Sequence, residues 1–116
     1  MRFSGSLRQN HLFRRLYQKG KSAVGGCMVL YCRPNGTAAN RVGVTVSVKL
    51  GCAVRRNRIR RRLREIYRLN EERFLPGFDL VVVARGRAAR AAYRELEREY
   101  LALAERLRLL RAEEPL

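Results

Sequence analysis

Hydrophobic positions along the chain follow two rhythms, and the switches between them divide it into elements. The first rhythm is helical. Leu12, Phe13, Leu16 and Tyr17 recur at steps of three and four, with Asn10 placed to cap the helix and Gly20 to end it. Leu12 and Leu16 make one stripe, Phe13 and Tyr17 the next. Residues 27–33, CMVLYCR, form a short apolar run bounded by Gly25, Gly26 and Pro34, which predicts a strand. Cys27, Val29, Tyr31 and Arg33 then share one face, and Met28, Leu30 and Cys32 the other. Asn35 and Gly36 open a turn. From Arg41 to Lys49 the alternation is strict: Val42, Val44, Val46 and Val48 are expected to face the core. Arg41, Gly43, Thr45, Ser47 and Lys49 form an opposite, polar face with little bulk at Gly43, open enough to hold something.

The second half repeats these rhythms. Pro76 and Gly77 break the chain, and DLVVVAR at 79–85 reads as an interior strand. From about Ala89 to Arg111, Tyr93, Leu96, Tyr100, Leu103, Leu107 and Leu110 define an amphipathic helix. It is too short for a sustained coiled-coil seam, so it is expected to pack on the chain's own sheet. With 116 residues the chain makes one domain, spanning 1–116, whose first seven residues read as a flexible basic tail.

Between the two halves lies RRNRIRRRLREIYR, residues 55–68, with seven arginines in the ten positions from Arg55 to Arg64. A block of like charge is usually disordered. Here Ile59, Leu63, Ile66 and Tyr67 fall at i, i+4, i+7 and i+8, enough to fix a helix to a core. At about 100° per residue, Asn57, Arg61, Arg64 and Arg68 gather within roughly 60° of one another, opposite the Ile59 and Leu63 stripe. Arg58, Arg60 and Arg62 sit on the flanks, and Arg56 closer to the buried side.

Charge sharpens this picture. All ten acidic residues lie at Glu65 or later, so residues 1–64 carry 16 Lys and Arg and no carboxylate, while residues 65–116 balance ten against ten. The whole excess of +16 belongs to the first half, and a polyanion that relieves its self-repulsion is the natural partner. Arginine outnumbers lysine 23 to 3, which suits bidentate phosphate contacts and stacking on bases. No apolar run approaches the ~18 residues of a membrane span, and no secretory signal appears, so the expected partner is nucleic acid, the expected location cytoplasmic, and no membrane is involved.

Candidate catalytic chemistry is sparse. Cys27, Cys32 and Cys52 form no C-x-x-C pair, and His11 is the one histidine, so zinc-ligand spacing is missing. The basic half offers no paired acids, triad or acid/base pair, and neither a catalytic nor a metal-ligating residue is assigned.

The stretch GCAVRRNRIRRRLRE, preceded by NRVGVTVSVKLG, resembles the arginine-asparagine-arginine signature of the bacterial ribonuclease P protein family. The helix with Phe13 and Tyr17 followed by KGK, the strand ending VLY at Tyr31, the VVVAR strand and the closing helix fall in that family's order. The resemblance implies an α+β fold, a two-layer sandwich in the order αβββαβα, similar to the second domain of a small-subunit ribosomal protein, with a left-handed βαβ crossover. It implies a ribonucleoprotein, ribonuclease P, in which a catalytic RNA uses Mg²⁺ to remove the 5′ leader of precursor tRNA, the protein alone being non-catalytic. The partners so implied are the catalytic RNA and precursor tRNA, with no obligatory protein partner. Arg56, Asn57 and Arg58 match the signature; Arg60, Arg61, Arg64 and Arg68 extend that basic face toward the catalytic RNA. Phe13, Tyr17 and Tyr31 match aromatic positions lining the leader cleft, and Ser47 and Lys49 the polar strand end beside it. The sequence departs from the family at Val48, commonly lysine, and at Cys52, commonly a small polar residue.

The residues leave competing readings open. Phe13 and Tyr17 at i, i+4 suit a core as well as a stacking platform; their offset from the Leu12 and Leu16 stripe, and the company of Arg33 on the Tyr31 face, favour stacking. A ribosome-type structural RNA-binding protein is the alternative function, and a self-sufficient nuclease a third. Asn57 is a conceivable metal ligand.

Overall fold

The computed structural model describes residues 4–6 and 10–112. One five-stranded sheet, in the order β1-β4-β5-β3-β2, carries three α-helices. Its strands are β1 (Ser4–Ser6), β2 (Lys21–Val24), β3 (Met28–Pro34), β4 (Asn40–Thr45) and β5 (Phe78–Ala84); the helices are α1 (Asn10–Lys19), α2 (Ala53–Asn70) and α3 (Tyr93–Arg106). The α+β class and its element order hold, with one strand added at the front. That strand lies inside the segment read as a flexible tail: Ser4–Ser6 pair parallel with Asn40, Arg41 and Val42. For these three residues the tail reading is corrected; residues 1–3 and 7 lie outside the described residues.

The sheet's two faces follow from period-two alternation. Along β3, Met28, Leu30 and Cys32 are buried and Val29, Tyr31 and Arg33 half-buried on the other side. Leu30, Cys32, Leu80, Val82 and Val42 join Ile59, Leu63, Ile66 and Tyr67 of α2 and Leu96, Tyr100 and Leu103 of α3 in the main core. Each buried aliphatic chain of α2 stabilises that docking by about 1.5–3 kcal/mol. That is enough to hold an arginine-rich helix against its own repulsion.

On the opposite face α1 lies across β3 and β5. Its end is set by Gly20, whose N–H donates to Leu16 O at 2.9 Å. A Cβ there would come within 2.6 Å of Leu16 O and 2.7 Å of Cys32 O, so only glycine lets the helix end sit so close to β3.

β4 and β5 are parallel neighbours joined through α2. The hand of this crossover can be worked out from β5. Val81 and Val83 face α1, and the odd-numbered backbone groups of that stretch face β3, since Gly77 O accepts from Asn35 N at 2.9 Å and Arg85 N donates to Cys27 O at 2.8 Å. For L-residues on a strand seen running upward, a side chain toward the viewer places that residue's N–H and C=O to the right. From the α1 side β4 therefore lies left of β5 while α2 crosses behind. The unit is left-handed, against the usual right-handed rule.

Several sequence boundaries move. β3 begins at Met28, so Cys27 precedes the strand and joins the main core instead of sharing the Tyr31 face, and β5 runs one residue earlier than its apolar run, from Phe78 to Ala84. β4 stops at Thr45, where its pairing with Val83 ends, and Val48–Leu50 form a 3₁₀ turn. Val46 is still buried, but Val48 is 73% exposed rather than in the core. The closing helix spans Tyr93–Arg106 instead of 89–111, because Gly86–Ala89 form a 3₁₀ turn. At its other end Arg108 takes φ 58°, Arg108 N–H donates to Glu105 O at 3.0 Å, and Leu109 N–H donates to Ala104 O at 2.9 Å. This is a Schellman ending with arginine where glycine is usual, and the buried Leu109 supplies its apolar contact. No helix of the described residues is long and apolar enough to cross a membrane.

Candidate RNA interface

The α2 surface divides as its sequence predicts. Ile59, Leu63, Ile66 and Tyr67 are buried, whereas Asn57, Arg58, Arg61, Arg64 and Arg68 are exposed. Arg56 and Arg60 are half-buried at the margin. The exposed side chains are not equivalent. Arg68 donates through Nε and Nη2 to the Glu65 carboxylate, whose pKa is held below its ordinary value chiefly by that hydrogen bond. Arg60 Nη1 donates to Asn57 Oδ1 at 2.8 Å, which fixes both on the surface. Arg56 Nε is turned inward without a hydrogen-bond partner among the described residues. Arg58, Arg61 and Arg64, like the exposed Arg55 in the first turn, form no ion pair with a described carboxylate and are available to a polyanion.

At the start of this helix the N-cap is Cys52, an exposed thiol whose pKa is lowered first by the Arg55 backbone N–H. Burial pushes the Cys27 and Cys32 thiols up, so these two are packing residues.

The second candidate surface is the sheet face under α1. Leu16 and Val81 are fully buried there, with Phe13, Tyr31 and Val83 packed partly buried around them. Tyr17 is 43% exposed, and its ring meets Tyr31 edge-on at a centroid distance of 4.8 Å. The three predicted aromatic residues thus come together. Register sets them within rows that cross the face: Val29, Val83 and Thr45; then Tyr31, Val81 and Gly43; then Arg33, Asp79 and Arg41. Gly43 ends the middle row without a side chain but is itself buried, so the face is not open at that position as the alternation suggested.

Ser47 and Lys49 follow Thr45 but do not continue the strand. Ser47 Oγ accepts from Lys49 N–H at 3.2 Å and caps the 3₁₀ turn, so both sit exposed at the rim. The last row went unassigned in the sequence reading. Arg41 grips Asp79 through Nε–Oδ1 and Nη2–Oδ2 bonds of 2.7 Å each, and Asn35 Nδ2 adds a third donor at 3.1 Å. The signal was present in the alternation, which puts Arg33 on the Tyr31 face and Arg41 on the open face of β4.

Among the described residues no three His, Cys, Asp or Glu side chains converge to hold a metal ion, and Asn57 Oδ1 is taken by Arg60.

A family model described as Ribonuclease P matches residues 1–108. The ribonuclease P protein component of Alkaliphilus oremlandii is 41% identical over 110 residues, covering 95% of this chain and 96% of that protein. The structure of the Staphylococcus aureus RNase P protein superposes with a TM-score of 0.85 at 28% identity, covering 93% of this chain and 99% of that one. The RNase P protein from Thermotoga maritima superposes with a TM-score of 0.80 at 33% identity, covering 87% and 96% respectively.

Proposed function

The chain belongs to the ribonuclease P protein family, and from that premise we propose how its two surfaces divide the work of a protein subunit of ribonuclease P. The basic face of α2 docks on the catalytic RNA through Arg58, Arg61 and Arg64, with Asn57 and Arg60 as a hydrogen-bonded pair beside them and Arg56 and Arg68 at the margins. The cleft between α1 and the sheet receives the single-stranded 5′ leader of precursor tRNA, stacking its bases on Phe13, Tyr17 and Tyr31, with Ser47 and Lys49 at the mouth. The family assignment leaves the ribosome-type reading without support.

The observation that carries this reading is the split of α2 into a buried aliphatic stripe and an exposed stripe of unpaired arginines. A helix whose charges served only solubility would pair them with acids; this one has Glu65 alone within its length. In this assignment the chemistry is the RNA's, and Mg²⁺ when bound supplies charge neutralisation and an activated water there. The protein's arginines reduce phosphate repulsion in the assembled particle and so lower the Mg²⁺ it requires. The reaction is placed in the cytoplasm.

RNA-free protein incubated with precursor tRNA and Mg²⁺ should cut nothing. Added to the catalytic RNA, it should restore specific 5′ cleavage at Mg²⁺ concentrations where the RNA alone is inactive. Specific cleavage by the protein alone would overturn the assignment.

A further inference from the structure

The row Arg33, Asp79, Arg41 ends the open face beyond the aromatic residues. Arg15 of α1 comes over it, and with Leu16 and Asn35 the four groups enclose a concavity of about 140 Å³. Three guanidinium groups against one carboxylate leave two charges uncompensated. Asp79 is 7% exposed and already accepts three hydrogen bonds, two of them from Arg41. It fixes Arg41 in place and accepts from neither Arg15 nor Arg33. Among the described residues, Arg15 and Arg33 form no ion pair.

A concavity of this size falls below the roughly 300–1,000 Å³ typical of small-molecule sites. It has room for one tetrahedral anion, and planar guanidinium forks are the groups that grip phosphate oxygens in pairs. Tyr31 and Arg33 lie on the same face of β3, two residues or ~7 Å apart. An anion held here is therefore next to a base stacked on Tyr31.

We propose that the Arg15, Arg33 and Arg41 pocket binds one backbone phosphate of a single-stranded RNA lying along the cleft. The inference rests on the reading of that cleft as the leader path, and it adds what stacking lacks. Aromatic stacking accepts any base and lets a strand slide; a phosphate anchor fixes the register and sets how long a leader must be to gain full affinity.

The test uses holoenzyme reconstituted with an Arg15→Gln, Arg33→Gln double variant and precursor tRNAs carrying a long leader, a leader too short to pass Tyr31, or none. Loss of one phosphate contact should weaken long-leader binding about fivefold at 0.1 M salt and shallow its salt dependence by about 0.7. The other two substrates should bind as before. A neutral methylphosphonate stepped along the leader should weaken wild-type binding at one position and change nothing there in the variant. The exposed single variant Arg15→Gln serves in place of the double should the latter fail to fold. Unchanged long-leader affinity, or an equal loss with leaderless substrate, overturns the proposal. A parallel Phe13→Ala, Tyr31→Ala variant tells the failures apart. If it abolishes leader dependence while the arginine variants do not, the pocket alone is wrong. If it too leaves leader dependence intact, the cleft reading falls with the pocket.

Discussion

On one side of the sheet, Leu30, Leu80 and Val82 are sealed beneath α2 and α3; on the other, Tyr31 and Val83 lie half-covered under the edge of α1. The same three strands supply both faces, with similar side chains on each. What differs is the amount of helix available to cover them. Two helices close the first face into a core, whereas under α1, among the described side chains, Leu16 and Val81 are fully buried and the Tyr17 ring stays open. Apolar surface left beside arginines suits the proposed strand of unpaired bases. Side chains of the sealed face should therefore matter to the fold, and those of the half-covered face to the proposed binding.

The largest effect should come from the sealed face. Ile59→Ala empties a site that is 3% exposed and should destabilise the protein by about 2–5 kcal/mol in a denaturant or thermal melt. Arg61→Ala and Arg64→Ala, on the other side of the same helix, should leave that melt nearly unchanged while weakening affinity for the catalytic RNA and shallowing its salt dependence by about 0.7–0.9 per lost contact. Equal shifts in melting temperature for Ile59→Ala and Arg61→Ala would break the division of α2 into two faces.

A smaller effect sharpens the picture inside the core. The Tyr100 hydroxyl is buried without a hydrogen-bond partner among the described residues, and burial raises its pKa. Tyr67, by contrast, bonds Asn40 Nδ2 at 3.1 Å. Tyr100→Phe should therefore stabilise the fold by about 1 kcal/mol and Tyr67→Phe should cost about as much, both read from chemical denaturation. Opposite signs would show that one core hydroxyl is satisfied and the other is not.

Elements whose own side chains carry a period were legible in the sequence. The α2 stripe, the β3 alternation and the apolar run of β5 all stand where their hydrophobic patterns put them. β1 was not legible, because SGS carries no apolar signal and its strand consists of backbone pairing with β4. β2 came only with the family resemblance: of its four residues only Ala23 is buried. The end of β4 was misplaced because valines continue past the point where β5 stops offering partners, so alternation persists without a ladder. At the site, the pairing of Phe13 with Tyr17 lay in the helical spacing, but their company with Tyr31 came only with the family resemblance. The clamp of Arg41 on Asp79 joins residues 38 apart in sequence, and no local pattern links them.

The proposed function gives each of two surfaces its own RNA, and one set of binding measurements decides between this and a single shared surface. Affinity for catalytic RNA, and the ratio of affinities for precursor tRNA with and without its leader, would be compared for wild type, an Arg61→Ala, Arg64→Ala variant and a Phe13→Ala, Tyr31→Ala variant of matched stability. The helix variant should bind the catalytic RNA more weakly and keep the leader ratio. The cleft variant should keep catalytic RNA affinity and lose about 1–3 kcal/mol of leader-dependent binding per lost stack, roughly fivefold to more than a hundredfold. If both variants weakened catalytic RNA binding alike, or if the cleft variant kept a wild-type leader ratio, the assignment of one RNA to each surface would be contradicted.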